Sequence, residues 1–185
     1  MGEPKIIMDK QDIDRSLSRI AHEIWERERG EGDAVFIGIR RLGVPIAQRL
    51  SQKLSALGGT NIPVGALDIN LYRDDLSEIA SQPVLKKTEI PFAVKDKRII
   101  LCDDVLYTGR TIRAALDSIV DMGRPRAIRL AVLIDRGYRE LPIQANYVGK
   151  KVSVTKDELV ELMLEEEDGI DKVIITRGTS HGIST

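Results

Sequence analysis

Four short apolar runs, set apart by stretches of helical period, constrain this chain more than any other feature. Residues 34–39 (Ala-Val-Phe-Ile-Gly-Ile), 63–69, 97–102 (Lys-Arg-Ile-Ile-Leu-Cys) and 127–134 (Ala-Ile-Arg-Leu-Ala-Val-Leu-Ile) are brief and bounded by turn or charged residues, as buried strands are. Between them, residues 9–29 place Ile13, Leu17, Ile20, Ala21, Ile24 and Trp25 at spacings of three and four, an amphipathic helix. Residues 44–57 repeat that period, with Pro45 in the first turn and Gly58-Gly59 at the end, and residues 111–122 form a third helix. Residues 70–84 are polar and aperiodic, a mobile loop. The order strand, helix, strand, loop, strand, helix, strand predicts an α/β fold. Its central sheet is mainly parallel, carries helices on both faces and binds ligands at the carboxyl ends of its strands. After Pro142, residues 145–149, 159–164 and 173–175 read as extra strands and Glu165 to Asp168 as a solvated acidic turn, and a small β-rich flap beside the main sheet is expected.

With 185 residues, positions 1–175 suffice for one domain with its own core, and the polar residues 176–185 form a tail expected to fray. Aromatics make up only 4%, so that core must be aliphatic, and 42% hydrophobic against 31% charged residues excludes disordered and fibrous classes. A formal charge of -1 supplies no global basic field for nucleic acid, although a local patch can exist on a nearly neutral molecule. The single cysteine, Cys102, cannot form an internal disulfide. No Cys/His cluster offers a structural metal site, no apolar run reaches the roughly eighteen residues of a membrane span, and no signal-peptide core is visible. A cytoplasmic protein without a membrane partner is expected.

The chemistry concentrates in residues 99–112, Ile-Ile-Leu-Cys-Asp-Asp-Val-Leu-Tyr-Thr-Gly-Arg-Thr-Ile, where an apolar strand delivers two carboxylates, then a Thr/Gly turn, then a helix. Asp103 and Asp104 at a strand end can accept hydrogen bonds from sugar hydroxyls and favour a cationic sugar in a transition state. Tyr107, Thr108, Gly109, Arg110 and Thr111 place backbone N–H groups and hydroxyls before a helix N-terminus, a seat for phosphate. One such Asp taken alone serves equally well as a helix cap. The glycines of Gly38-Ile-Arg-Arg-Leu-Gly43 have P-loop spacing, but Val44-Pro45 follows where Lys-Ser/Thr would be needed, so an ATPase is excluded.

The whole of residues 99–112 resembles the signature with which type I phosphoribosyltransferases bind phosphoribosyl pyrophosphate (PRPP). Ser18-Arg-Ile-Ala-His-Glu23, Asp68-Ile-Asn-Leu-Tyr-Arg-Asp-Asp-Leu76, Val120-Asp-Met-Gly-Arg-Pro125 and Leu133-Ile-Asp-Arg-Gly-Tyr-Arg-Glu-Leu-Pro-Ile143 narrow this to the family's pyrimidine operon regulators. Those proteins are also uracil phosphoribosyltransferases, and the similarity runs from about residue 6 to residue 151. The resemblance implies a type I phosphoribosyltransferase fold and the reaction of uracil with PRPP to give UMP and pyrophosphate, with Mg²⁺ carried on substrate oxygens rather than in a dedicated metal site. It places Asp103 and Asp104 on the ribose hydroxyls, Thr108 to Thr111 on the 5′-phosphate, and Arg40, Arg41, Leu42 and Gly43 on the pyrophosphate. Arg73, Asp74 and Asp75 would lie in a loop that closes over PRPP and keeps water out. Uracil would be read near Ile134, Asp135 and Arg136, of which Asp135 and Arg136 serve equally well as a structural pair in a surface turn.

The family's second activity is binding of a stem-loop in pyrimidine-operon mRNA, responsive to UMP or UTP, by homo-oligomers of two or more chains. Arg15, Arg19, His22 and Glu26 recur on the polar side of the first helix, and Arg19, His22, Arg27, Arg139, Lys150 and Lys151 are the candidate RNA contacts. Arg136 and Lys156 are further candidates. The chain departs from its family where Arg41-Leu42-Gly43 stands in place of Thr-Arg-Gly, and where Tyr138 and Pro142-Ile-Gln-Ala-Asn146 replace more cationic stretches. Two alternatives follow: an RNA-binding regulator whose nucleotide site senses without turning over, and a purine salvage transferase sharing the PRPP loop.

Overall fold

The apolar runs become neighbouring strands because each can be covered on both faces. In this computed structural model, residues 4–28, 33–58, 61–72 and 88–177 are described. The elements are β1 (Lys5–Met8), α1 (Lys10–Glu28), β2 (Ala34–Ile39), α2 (Gly43–Gly58), β3 (Val64–Leu67), a 3-10 turn (Asn70–Tyr72), β4 (Arg98–Leu106), α3 (Arg110–Met122) and β5 (Ala127–Asp135). They are followed by β6 (Tyr147–Lys151), β7 (Glu158–Met163), α4 (Glu165–Asp168) and β8 (Lys172–Arg177). Five strands pair in parallel in the order β3-β2-β4-β5-β6.

Alternation along these strands explains why they read as unbroken apolar runs. Phe36, Ile100, Cys102, Ala131 and Leu133 face α1 and α2, joining Ile13, Leu17, Ile20, Ile24, Ile46 and Leu50. Val35, Ile37, Ile99, Leu101, Leu130 and Val132 face the other way, onto Ile112, Ala115 and Ile119 of α3. Every second residue therefore enters one of two cores. Helix α1 starts with a reciprocal cap, in which the Asp12 N–H donates to Asp9 Oδ1 at 2.8 Å and the Asp9 N–H to Asp12 Oδ2 at 3.2 Å.

The flap is an antiparallel sheet in the order β1-β8-β7, so the start of the described chain pairs with its end. Strand β1 is absent from the sequence reading, because four residues show a period only once their partner is known. Thr176 and Arg177, expected in the tail, belong to β8, and the rest of the tail lies outside the described residues. The acidic run forms one exposed helical turn, α4. Arg49 of α2 holds it, donating to both carboxylate oxygens of Glu166 at 2.7 and 2.6 Å and of Asp171 at 2.8 Å each. The same hydrogen bonds hold both carboxyls below their ordinary pKa range.

At the amino ends of the strands lies a buried ionic network. Arg98 pairs with Glu28 at 3.1 Å and with Asp33 at 3.0 Å, Arg129 also pairs with Glu28, and Arg126 reaches Asp33 at 3.2 Å. Glu28 ends α1, where a negative charge opposes the helix dipole, and the arginines compensate it.

Candidate active site

The acidic pair sits inside a strand. β4 was expected to stop at Cys102, but pairing of Asp103 with Val132, Val105 with Ile134 and Leu106 with Asp135 carries it four residues further. Asp103 therefore keeps the alternation and faces the α3 side, 6% exposed. Its carboxyl is pushed well above the usual carboxylate range, first by burial and then by the charge of Asp104. Asp103 Oδ1 accepts the Asp104 N–H at 3.0 Å, and Asp104 Oδ1 accepts the Val105 N–H at 2.7 Å, so backbone donors orient both carboxylates. Burial likewise raises the Cys102 thiol, which stays protonated in the core.

Directly after β4 the chain turns into α3 through Gly109, whose φ of 95° is a conformation that favours glycine. Thr108 Oγ1 accepts the Arg110 N–H at 3.3 Å. A cavity of about 290 Å³ opens here, lined by Asp103, Tyr107, Thr108, Gly109, Arg110 and Thr111, among others from residues 105–112. It joins a carboxylate to the N-terminus of a thirteen-residue helix, the electrostatic requirement of a ligand with sugar hydroxyls and a phosphate.

The loop between β2 and α2 approaches from the other side. A β-carbon on Gly43 would overlap the Cys102 carbonyl oxygen and lie 3.3 Å from the Asp103 Cα, so only glycine allows this contact. Arg40 is half-buried and pairs with Glu89 at 3.5 Å, and exposed Arg41 pairs with Asp168 at 3.0 Å. Leu42 is 4% exposed and packs with Ile46 in the α1/α2 core. Its side chain, placed by sequence in the pyrophosphate contacts, instead anchors the loop in that core.

The segment after β5 packs against the backbone of the Leu106–Thr108 turn. Ile134 is buried in the core and Asp135 is half-buried. Asp135 Oδ1 accepts the Gly137 N–H at 3.0 Å and Arg139 Nη2 at 2.7 Å, so the partner of Asp135 is Arg139 rather than Arg136. Arg136 is 5% exposed, with its guanidinium stacked 3.9 Å from the centre of the Tyr107 ring and an Nη2 donating to the Thr155 carbonyl at 3.4 Å. It does not belong to an open basic surface. Arg139, placed among the RNA contacts by sequence, turns inward as well, donating to the carbonyls of Tyr107 and Ile143 at 2.9 Å each. Glu140 was not singled out by sequence reading, yet it pairs with Arg110 at 2.7 Å.

The remaining cationic candidates gather around α1 and β6. Arg19 donates to the carbonyls of Val148 at 2.9 Å and Gly149 at 2.6 Å and pairs with Glu23, clamping α1 onto β6. His22 hydrogen-bonds the Ser18 carbonyl at 2.7 Å, and Lys150 donates to the Ile7 carbonyl at 3.0 Å. Arg27, Lys150 and Lys151 are exposed. Arg73, Asp74 and Asp75 lie outside the described residues. No cluster of three or more His, Cys, Asp or Glu able to hold a metal occurs among the described residues, and no helix among them is long and apolar enough to cross a membrane.

Comparison with known proteins agrees with this geometry. Residues 5–161 match the family model described as a phosphoribosyl transferase domain. A protein of Pelotomaculum thermopropionicum named "Bifunctional protein PyrR" is 58% identical over 169 residues, 91% of this chain and 93% of that protein. One of the same name from Deinococcus radiodurans is 55% identical over 174 residues, 94% of this chain and 95% of that one. Among solved structures, a hypoxanthine phosphoribosyltransferase of Trypanosoma cruzi superposes with a TM-score of 0.75 at 17% identity, over 96% of this chain and 97% of that one, a likeness of fold. The chain therefore belongs to the phosphoribosyltransferase family, in the group whose members bear the name bifunctional protein PyrR.

Proposed function

We propose that the protein is a uracil phosphoribosyltransferase that converts uracil and PRPP to UMP and pyrophosphate. The observation that carries this reading is the cavity that joins Asp103 to the Tyr107–Thr111 loop at the start of α3, with the Arg40–Gly43 loop packed beside it on β4 through Gly43. The ribose hydroxyls would be held by Asp103 and Asp104, the 5′-phosphate by the N–H groups and hydroxyls of Thr108 to Thr111, and the pyrophosphate by the loop of Arg40 and Arg41. Mg²⁺ belongs to the substrate, on PRPP oxygens, and two adjacent carboxylates suit a hard cation that retains water. Uracil would be read by the segment at Ile134, Asp135 and Arg136. Since the Asp135 carboxylate is engaged with Arg139, the backbone of this turn is the better candidate for the base contacts. Arg73 would act from the loop that closes over PRPP.

The same chain would bind a stem-loop of pyrimidine-operon mRNA through Arg19, His22, Arg27, Lys150 and Lys151, as a homo-oligomer in the cytoplasm, with UMP or UTP in the nucleotide site as the signal. A second reading, a regulator that senses nucleotide without turnover, draws on the burial of Leu42, which leaves the pyrophosphate loop without a cationic side chain at that position. A base panel separates the readings. Release of pyrophosphate from PRPP by uracil, and not by hypoxanthine, guanine or orotate, supports the transferase. Release by purines alone contradicts it, and tight UMP binding without release by any base supports the sensor.

A further inference from the structure

The segment after β5 does more than border the site, because it fixes the peptide planes of the phosphate loop. Arg139 Nη1 donates to the Tyr107 carbonyl at 2.9 Å and the Leu106 carbonyl at 3.4 Å. The N–H groups of Glu140 and Leu141 donate to the Thr108 carbonyl at 2.9 and 3.2 Å, and the Arg136 N–H donates to that of Leu106 at 3.1 Å. Three consecutive carbonyls of the loop thus face the turn. In a trans peptide the N–H that follows a carbonyl points the opposite way. The N–H groups of Thr108 and Gly109 therefore point away from the turn, on the side where the 290 Å³ cavity opens with a lining drawn from Asp103 and residues 105–112.

Arg139 grips the backbone of both segments at several points. Its Nε donates to the Ile143 carbonyl at 2.9 Å, Nη1 also reaches the Gly137 carbonyl at 3.4 Å, and Nη2 donates to Asp135 at 2.7 Å. A planar fork of fixed donors can hold four carbonyls and a carboxylate at once, and a lysine cannot. We infer that Arg139 is a positioning residue for phosphate recognition: it orients the Tyr107 peptide so that the loop presents its N–H groups to the 5′-phosphate, and through Asp135 it couples that orientation to the base-reading end of β5. This deepens the proposed function and rests on it for the identity of the anion.

The test separates the two anions of PRPP. Binding of ribose 5-phosphate and of pyrophosphate is measured by calorimetry for the wild type, R139Q and R139K, alongside thermal melts. R139Q is expected to bind ribose 5-phosphate about tenfold more weakly, with pyrophosphate affinity within twofold of wild type, because a misdirected peptide affects only the phosphate loop. R139K should recover part of the loss. In turnover, KM for PRPP should rise more than KM for uracil. Equal weakening of both anions, or unchanged ribose 5-phosphate binding, overturns the inference. If R139Q fails to fold, D135N, which neutralises the carboxylate that accepts Arg139 Nη2 and the Gly137 N–H, must show a smaller loss of the same selectivity, and unchanged binding in D135N then overturns it. Wild-type protein that binds ribose 5-phosphate with this dependence but turns over no uracil would sink the transferase reading and leave the positioning role standing. Wild-type protein that does not bind ribose 5-phosphate would sink both.

Discussion

Gly43 lies against Cys102 so closely that a β-carbon would overlap the cysteine's carbonyl oxygen, and this contact seats the loop of Arg40 and Arg41 beside Asp103. Two segments sixty residues apart in sequence thereby meet on one strand, and the spacing between the ends of the candidate substrate follows from backbone contact rather than from a flexible side chain. Gly43→Ala must push the loop off β4. A displacement of about 1 Å at a reacting site costs roughly 100-fold in rate. The variant is expected to lose turnover on that scale while retaining UMP binding, which depends on the other loop. Parallel measurements of kcat and of UMP affinity check this, and an unimpaired kcat would show that the loop can shift without consequence.

Leu42 holds the same loop from beneath. Truncating a buried leucine costs about 2–5 kcal/mol through lost burial and the cavity left behind, and Leu42→Ala should fall in that range by chemical denaturation. Leu42→Arg, which restores the residue type common in the family, would place a guanidinium in the α1/α2 core. It should destabilise at least as much, since a buried charge without a partner is costlier than a void. An arginine variant of wild-type stability would mean that the loop can turn this position toward the site.

Asp103 links pH to stability. Its folded carboxyl is pushed well above the ordinary range by burial and then by Asp104. Between the ordinary carboxylate pKa and that raised value the folded state holds more protons than the unfolded state, so this group destabilises the fold progressively as pH rises through the interval. Asp103→Asn removes the effect. The variant should melt above the wild type at pH 8, with the gap closing toward pH 4, even as turnover falls by about 100-fold or more. A gap independent of pH would show that the carboxyl titrates normally.

For the RNA reading, Lys151 is the cleanest cation, because it is exposed at the end of β6, whereas Arg19 also clamps α1 to Val148 and Gly149. Lys151→Ala should weaken binding of a pyrimidine-operon stem-loop and reduce the slope of log affinity against log salt by about 1, as loss of one phosphate contact does. Filter binding across a salt series measures it. An unchanged slope removes Lys151 from the interface.

Local signals carried far in this chain. Period alone placed α1, α2, α3 and the inner strands within a few residues, because each core face is apolar along its whole length. Asp103, Asp104 and the Thr108–Thr111 loop were legible from the order strand, acids, Thr/Gly, helix. What escaped was set by distant partners. β1 exists only through β8, and β4 continues through two aspartates, poor strand formers, because β5 pairs with them. Leu42, flanked by two arginines and a glycine, reads locally as part of a polar loop, and only the packing of α2 turns it inward. Arg139 likewise reads as a surface cation until the carbonyls of Leu106 and Tyr107 are brought beside it.

The central claim is that the site around Asp103 makes UMP. Its most direct test is steady-state conversion of labelled uracil to UMP by the purified protein with PRPP and Mg²⁺, run beside the Asp103→Asn, Asp104→Asn double variant. The account requires uracil-dependent UMP formation by the wild type and its loss in a double variant that melts as a folded protein. Equal turnover by both proteins would place the chemistry elsewhere, and none by a wild type that still binds UMP would make the site a sensor.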